Sequence, residues 1–539
     1  MRVSRPGLPT VGRGALVTGL VAAALFWVAY DNGTYGLDGR NTVAIVVWWA
    51  VVVAVVFGLL PRAPVPASAI VVGCVIASLA LWTLASLLWS PSAEATFDEF
   101  NRLTLYLGTF VLVVLGSRRG SLGRWADGMA AAIAAVAGVA LTSRLFPGSF
   151  PEGDLPTFLP GAVTRLSFPL GYWNGLAIFL ALGIPLFLRL ALVARTSVVR
   201  ALALAPMPVI ASAVYLTSSR GGVATALAGS LVLLVLTERR WAAVAAVGVS
   251  LVGSAAAVAV LLDRDELVNG PLGTDLVEHQ GRTAAVLIGL TCVATSLLHL
   301  LGAQLLEGRA PTAAPAGRIA VVAAVVVAVI GVVASNPAAR VTSFKKLPNE
   351  SGLESGDFVR AHLLSGGGSG RWQFWSAALD QWNANRLLGD GAGSYESWWA
   401  QHASFSYFVR DAHSAYFEAL GELGFLGFAL TVALVVAGVA VGVRRSWHSP
   451  DETGVTTAAF TAVFAAYALT LGFEWMWQLT AVSVVGFTAL ALITGPATAP
   501  HAEPRVAAPR SSHARIPARG FGLAIAALAV IWALMWAQA

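Results

Sequence analysis

The residues able to do chemistry gather in a few short segments of an otherwise apolar chain. The densest begins at Arg410 and reads RDAHSAYFEALGELGFLGFAL. Asp411 suits the cap of a helix starting near Ala412, because a carboxylate there accepts the first free amides. That places His413 in the first turn, followed by Tyr416 and Glu418. Glu422 lies one turn beyond Glu418 on the same side. Histidine changes charge near neutral pH and can serve as a general base. Taken alone, it is also an ordinary polar residue at a membrane edge. Two carboxylates inside an apolar helix cost roughly 2.5–3.5 kcal/mol each, so they should face a polar cavity or a partner. Gly421, Gly424 and Gly427 form a stripe that permits close helix packing.

A second segment starts at Arg371: RWQFWSAALDQWNANRLLGDGAGSY. Trp372, Trp375, Leu379 and Trp382 recur at helical spacing, so one face of an amphipathic helix should rest at the membrane–water interface. Asn385 and the glycines Gly389, Gly391 and Gly393 then break the helix. Such glycines can turn amides toward a phosphate, but no P-loop lysine follows and a plain turn explains them. Three smaller segments remain. Leu216–Gly222 reads LTSSRGG, where Arg220 either reaches lipid headgroups or binds an anion. Phe168–Ala177 reads FPLGYWNGLA, where Tyr172, Trp173 and Asn174 anchor at the interface or line a cavity. Glu474 stands in GFEWMWQ, just before Trp475 and Trp477. The pair Asp263 and Asp265 has the spacing of a metal-binding DxD, a two-residue match of little weight. Cys74 and Cys292 lie in separate apolar runs and read as small hydrophobes. No cluster has metal-ligand spacing.

These segments must be held by membrane helices. Apolar residues make up 57% of the 539-residue chain and charged residues 12%, about half the usual charged fraction of a soluble chain. Mean hydropathy is +0.74. Runs of about 20 apolar residues, enough to span a bilayer, recur near 15–30, 42–60, 68–90, 103–117, 126–146, 171–193, 201–217, 222–237, 241–262, 283–305, 319–335, 413–443, 455–472, 479–495 and 520–538. The expected fold is all-α and polytopic, with about 14–15 transmembrane helices. Residues 1–335 form an N-terminal bundle of about 11 of them. Residues 336–412 form a large extracytoplasmic loop with short amphipathic helices. Residues 413–495 return to the membrane, 496–519 form a cytoplasmic Pro/Ala/Arg linker, and 520–539 a terminal helix.

With the N-terminus in the cytoplasm, 20 of the 34 basic residues fall inside. The short outer segments keep Arg40, Arg102, Arg144, Arg165, Arg220, Arg264 and Arg282. This asymmetry follows the positive-inside rule. Basic residues scattered between spans explain the pI near 9.6 without a nucleic-acid partner. The Arg-bearing start, Met1 to Gly14, reads as the flank of a retained first helix rather than a cleaved signal. A loop as long as 336–412 is uncommon unless functional or disordered. Its first part, Asn349–Gly370, is Gly/Ser-rich and reads as a mobile lid. The rest has aromatics that disordered tracts lack.

In this order the segments resemble the O-antigen ligase and polymerase superfamily of bacterial envelope glycan enzymes. Its signature is a large outer loop late in the chain, with an Arg-led aromatic helix, a PLLG-x-G turn and then H-N-x-Y-L-x-x-x-x-E-x-G. The matching stretches are Arg371-Trp372, Leu387-Leu388-Gly389-Asp390-Gly391, and His413-Ser414-Ala415-Tyr416-Phe417 through Glu422-Leu423-Gly424. The SRGG and GYWN elements also look like the family. Arg386 replaces the proline before the turn, and Ser414 replaces the commoner asparagine after the histidine.

The resemblance implies transfer of a glycan from an undecaprenyl-diphosphate carrier to an acceptor hydroxyl, at the outer face of the cytoplasmic membrane. Arg220, Arg371 and His413 would then be catalytic, and Tyr172, Asn174, Tyr416, Glu422 and Glu474 would bind substrate. The implied partners are a lipid-linked glycan donor, a glycan or lipid acceptor and membrane lipids. No metal or other cofactor is needed if arginines neutralise the diphosphate. Ligase and polymerase activity are not separated by the sequence. A transporter of a small anion or solute, coupled through Glu418 and Glu422, is the alternative of another class.

Overall fold

A computed structural model describes residues 13–61, 63–150, 164–306, 337–347, 358–449 and 451–500, with Leu528, Val530 and Ile531. Its helices, in chain order, are α1 (Arg13–Tyr30), α2 (Leu37–Val56), α3 (Ala67–Ala85), α4 (Ala93–Gly116), α5 (Leu122–Leu145), α6 (Trp173–Val193), α7 (Ser197–Leu202), α8 (Pro206–Leu216), α9 (Arg220–Leu236), α10 (Arg240–Leu262), α11 (Asp265–Asn269), α12 (Asp275–Leu306), α13 (Pro337–Lys345), α14 (Phe358–Leu364), α15 (Arg371–Ala384), α16 (Tyr395–His402), α17 (Ala415–His448), α18 (Asp451–Thr470) and α19 (Thr480–Thr494). No strand occurs among the described residues. The chain is therefore an all-α polytopic membrane protein. Ten helical stretches are long and apolar enough to cross a membrane, and Gly14–Tyr30, Arg220–Leu236 and Thr480–Thr494 are shorter apolar helices. Together these occupy the expected runs up to 495, except 319–335. That run and 520–538 lie outside the described residues, apart from three positions of the latter.

The expected boundaries move where polar residues continue a helix. Helix α4 begins at Ala93 rather than near 103, because Glu94, Asp98, Glu99 and Arg102 belong to its first turns. Helix α12 begins at Asp275 rather than near 283 for the same reason. Hydropathy marks lipid-facing composition, whereas the backbone hydrogen-bond ladder runs on past it. The weak run near 201–217 is two helices, α7 and α8, parted at Ala203–Ala205 with Pro206 opening the second, where its missing N–H costs nothing.

Helices α6, α18 and α19 form the middle of the bundle. Their side chains are buried almost all round, as expected of helices apolar on every face. Helix α9 packs on α6 and α18, and α17 packs on α18 and α3; α2, α3, α4 and α19 close one flank, while α5, α8, α10 and α12 close the other. Helices α10 and α12 expose Leu251, Val252, Val286, Leu290 and Val293 outward, a surface suited to acyl chains.

The long loop is a small body of its own. Phe374, Ala377 and Ala378 of α15 pack against Tyr395, Trp399, Val409 and Ala412. The buried stripe of α15 is Phe374, Ala377, Ala378 and Gln381, while Trp372 is exposed and lies 4.3 Å beneath the Lys345 ammonium. The Gly/Ser-rich stretch before Arg371 includes a helix, α14, among its described residues.

Candidate active site

The connections α1–α2, α5–α6, α8–α9, α18–α19 and the segment leading into α17 meet at one end of the bundle. Glu474, in the α18–α19 turn, is the hub. Its carboxylate accepts from the Tyr172 hydroxyl at 2.9 Å and from Asn174 Nδ2 at 3.0 Å. It also pairs with Arg371 Nη2. Arg371 Nε donates to the carbonyl of Phe473 at 2.8 Å. Glu474 is 1% exposed, a place where a carboxylate is tolerated only when paired and hydrogen-bonded. Burial pushes the Tyr172 phenol up and the Arg371 guanidinium down from their ordinary values. Trp475 closes the side, with ring centroids 4.4 Å from Tyr172 and 5.2 Å from Tyr35.

Arg165 ties this hub to the SRGG turn. It donates to the carbonyls of Thr217 and Ser218 at 2.7 and 3.2 Å and to Asn174 Oδ1 at 3.0 Å, and it lies 4.5 Å over the Trp173 ring. Burial above all holds its guanidinium down to about 9. The turn explains its own sequence. Ser218 adopts φ 53°, and Ser219 caps α9 by accepting from Gly222 N at 3.1 Å. A Cβ on Gly222 would stand 2.4 Å from that of Ala177, and one on Gly221 2.9 Å from the Phe473 ring. The glycines thus let α9 close on α6 and on the Glu474 turn. Arg220, at the start of α9, donates Nη1 to the Ser365 carbonyl at 2.6 Å.

His413 stands before α17 rather than inside it, a correction to the expected helix start. Helix α17 begins at Ala415, and its cap is Ser414, whose Oγ accepts from Phe417 N at 3.5 Å. Serine and asparagine share this capping ability, so Ser414 can replace an asparagine without moving the helix. His413 takes φ 55°, a conformation uncommon outside glycine and one the surroundings enforce. Ala412 N donates to Glu418 Oε2 at 3.0 Å, Glu418 Oε1 accepts from Gln478 Nε2 at 2.6 Å, and Ala415 N donates to the Leu471 carbonyl at 2.8 Å. His413 Nδ1 lies 3.0 Å from the Asp411 carbonyl. With the proton on Nδ1, Nε2 carries a free lone pair. Burial first, then the Arg371 charge, holds the imidazole down to about 3, so it is neutral at pH 7. Asp411 is not the cap. Its carboxyl is pushed up to about 7, chiefly by burial.

The glycine turn has no amide free for a phosphate at its centre. Asp390 N donates to the Gly421 carbonyl at 3.2 Å and Gly391 N to the Glu422 carbonyl at 2.8 Å. Gly393 N and Tyr395 N donate to the two oxygens of the Glu422 carboxylate, both at 2.9 Å. Helix α17 opens at Gly424 (φ 65°, ψ −166°) to admit this turn, and a Cβ on Gly424 would stand 2.2 Å from the Leu387 carbonyl oxygen. Glu422 is therefore part of the scaffold. Tyr416 is too, its hydroxyl donating to the Ala468 carbonyl at 2.7 Å.

Of the residues singled out in the sequence, the structure gathers Tyr172, Asn174, Arg220, Arg371, His413 and Glu474 at this end of the bundle. It sets Tyr416 and Glu422 behind them. Arg165 was counted among the outer basic residues but not singled out for the site. Its signal was an arginine in a short segment that should be poor in basic residues, nine positions before Asn174. Asp265 is exposed and accepts from Asn269 at 2.7 Å, and among the described residues no group of three or more His, Cys, Asp or Glu is placed to hold a metal ion.

Residues 272–432 match the family model described as O-antigen ligase. The match supports the O-antigen ligase and polymerase superfamily. It covers a little under a third of the chain. Within it lie Arg371, His413, Glu418 and Glu422. Outside it lie Arg165, Tyr172, Asn174, Arg220 and Glu474, so the ligase-family segment supplies only part of the site and the helices around it supply the rest. The search of curated proteins finds no match.

Proposed function

We propose that the chain transfers or polymerises a glycan from an undecaprenyl-diphosphate carrier onto an acceptor hydroxyl, at the outer face of the cytoplasmic membrane. The observation that carries this reading is the meeting of Arg220 and Arg371 with a neutral His413 at one end of the bundle. The acceptor oxygen attacks the anomeric carbon while the bond from that carbon to the diphosphate oxygen breaks. The electron pair leaves with the diphosphate, and the hydroxyl proton passes to His413 Nε2. Guanidinium groups suit the leaving group because they fork onto phosphate oxygens and stay charged. They supply positive charge without a metal. Glu474 holds Arg371 at its place and Arg165 holds the turn that carries Arg220, so both are positioning residues.

The test uses purified protein, lipid-linked oligosaccharide and candidate acceptors. A ladder of products identifies a polymerase, and a single step in acceptor mass identifies a ligase. His413→Gln should lower either rate by about 10²-fold or more. If wild type forms no product, while wild type and His413→Ala move solute across vesicles equally, the enzymatic reading fails and the transporter stands. Glu418 and Glu422 count against transport here, since both carboxylates are committed to backbone amides.

A further inference from the structure

Helix α14 lies against the arginines, and the chemistry above does not use it. Three contacts dock it. Ser218 Oγ donates to the Val359 carbonyl at 2.8 Å, Val359 N donates to Asn269 Oδ1 at 3.2 Å, and Arg220 Nη1 reaches the Ser365 carbonyl just past the helix end. Two of the three come from the SRGG turn. His362 sits between these anchors, half-buried, its ring stacked on Phe358 with centroids 5.5 Å apart. Its carbonyl accepts from Ser365 N and Oγ. Neither ring nitrogen has a hydrogen-bond partner among the described residues. The guanidinium groups of Arg165, Arg220 and Arg371 all lie near enough for their charges to act on the ring.

We propose that His362 is a further ligand of the carrier diphosphate, donating a ring N–H to a phosphate oxygen alongside Arg220 and Arg371. This rests on the function proposed above. In the empty site, burial and then the three arginines hold the imidazole down to about 3, so it is neutral. Among the described residues, no carboxylate near the ring offsets that. Glu474 is paired with Arg371, and Asp265 and Glu266 on the neighbouring α11 are exposed. Arg340 adds positive charge near Arg220. A diphosphate reverses the balance, because a close opposite charge favours the protonated ring. One proton from solvent therefore joins His362 as the diphosphate enters. The resulting cation meets the negative charge that grows on the leaving group when the glycan bond breaks, and the proton returns to solvent when the carrier leaves.

The experiment is calorimetry of full-length protein in nanodiscs at about pH 6, where a ring raised by a close opposite charge takes up protons, with farnesyl diphosphate as probe, in buffers of different ionisation enthalpy. Wild type should take up a substantial fraction of a proton per bound molecule, more than His362→Gln does. His362→Gln, which keeps an amide donor, should bind about tenfold more weakly with almost no proton uptake. His413→Gln should keep the uptake, which excludes the proposed base as its source. Binding by wild type without uptake, or uptake that survives in His362→Gln, overturns this assignment and leaves the glycan-transfer reading intact. If farnesol binds as well as farnesyl diphosphate, no diphosphate site exists and both readings fall.

Discussion

Two arginines at opposite ends of the bundle, Arg445 and Arg220, are held in opposite ways. At the end away from the site, Arg445 Nη1 donates to the carbonyls of Ile493 and Gly495 and to Thr498 Oγ1, at 3.0, 2.8 and 2.8 Å, and Nη2 donates to Ser68 Oγ at 2.7 Å. Arg189 nearby bonds Thr456 Oγ1 at 2.9 Å and Asp127 at 2.5 Å. These guanidinium groups tie helix ends together. At the site end, Arg220 makes one hydrogen bond among the described residues although a guanidinium carries five N–H donors. Arg165 and Arg371 stand near it, and the group gains its counter-charge chiefly through Glu474. An arginine whose donors are filled by the protein is mortar. One held among like charges with donors to spare is a place for an anion.

The contrast can be broken most directly at Arg220. Arg220→Met should cut transfer by roughly 10²–10³-fold, the usual loss when a charge-stabilising donor is removed, and should leave the melting temperature within about 2 °C. The opposite result is expected at the other end. Arg445→Met should cost about 2–3 kcal/mol of stability, since buried carbonyls lose their donor, while the rate per folded molecule is kept. If thermal unfolding ranks the two variants equally, the distinction between mortar and ligand site is lost. Gly424→Ala probes the scaffold behind the site. Its backbone lies in a region open essentially to glycine alone, so the change should cost about 2 kcal/mol and also loosen the turn at Gly389–Gly393, seen as faster amide exchange there.

The smallest effect sharpens the electrostatics. An ordinary imidazole titrates near 6.5, so its acylation by diethylpyrocarbonate should slow about tenfold between pH 7.5 and 5.5. The His413 folded-state value is lowered, so the neutral form persists as pH falls through 6.5. Its acylation rate, followed by peptide mass spectrometry in the ligand-free protein, should change by less than about twofold over that range. A tenfold slowing at His413 would mean that burial and Arg371 do not hold it neutral.

Much of the membrane fold is legible in sequence. A bilayer demands about 20 apolar residues per crossing, and no packing detail can hide such a run. Polar helix starts are not legible in that way, which is why α4 and α12 begin earlier than their apolar runs. Arg220 and His413 stood out as charged or titratable residues at the edge of an apolar span, Arg371 as the start of an amphipathic helix in the long loop, and the resemblance to the ligase family supplied their roles. The roles of Tyr416 and Glu422 were not legible. The same spacing serves a substrate or a backbone amide equally well, and only the neighbouring chain decides. Glu422 finds Gly393 and Tyr395 there.

What the sequence determined by itself was the polytopic helical architecture, the loop rich in aromatics and the kinds of group available for chemistry. These are set by hydrophobic length and by residue type. Only the tertiary structure joined Arg165, Asn174, Glu474 and Arg371 in one network, because Asn174 and Glu474 lie 300 residues apart and their hydrogen bond exists only when α6 and the α18–α19 turn meet. It also placed His362 before the arginines. Nothing in the local sequence around that histidine separates it from a surface residue until Ser218, Asn269 and Arg220 fix its helix in position.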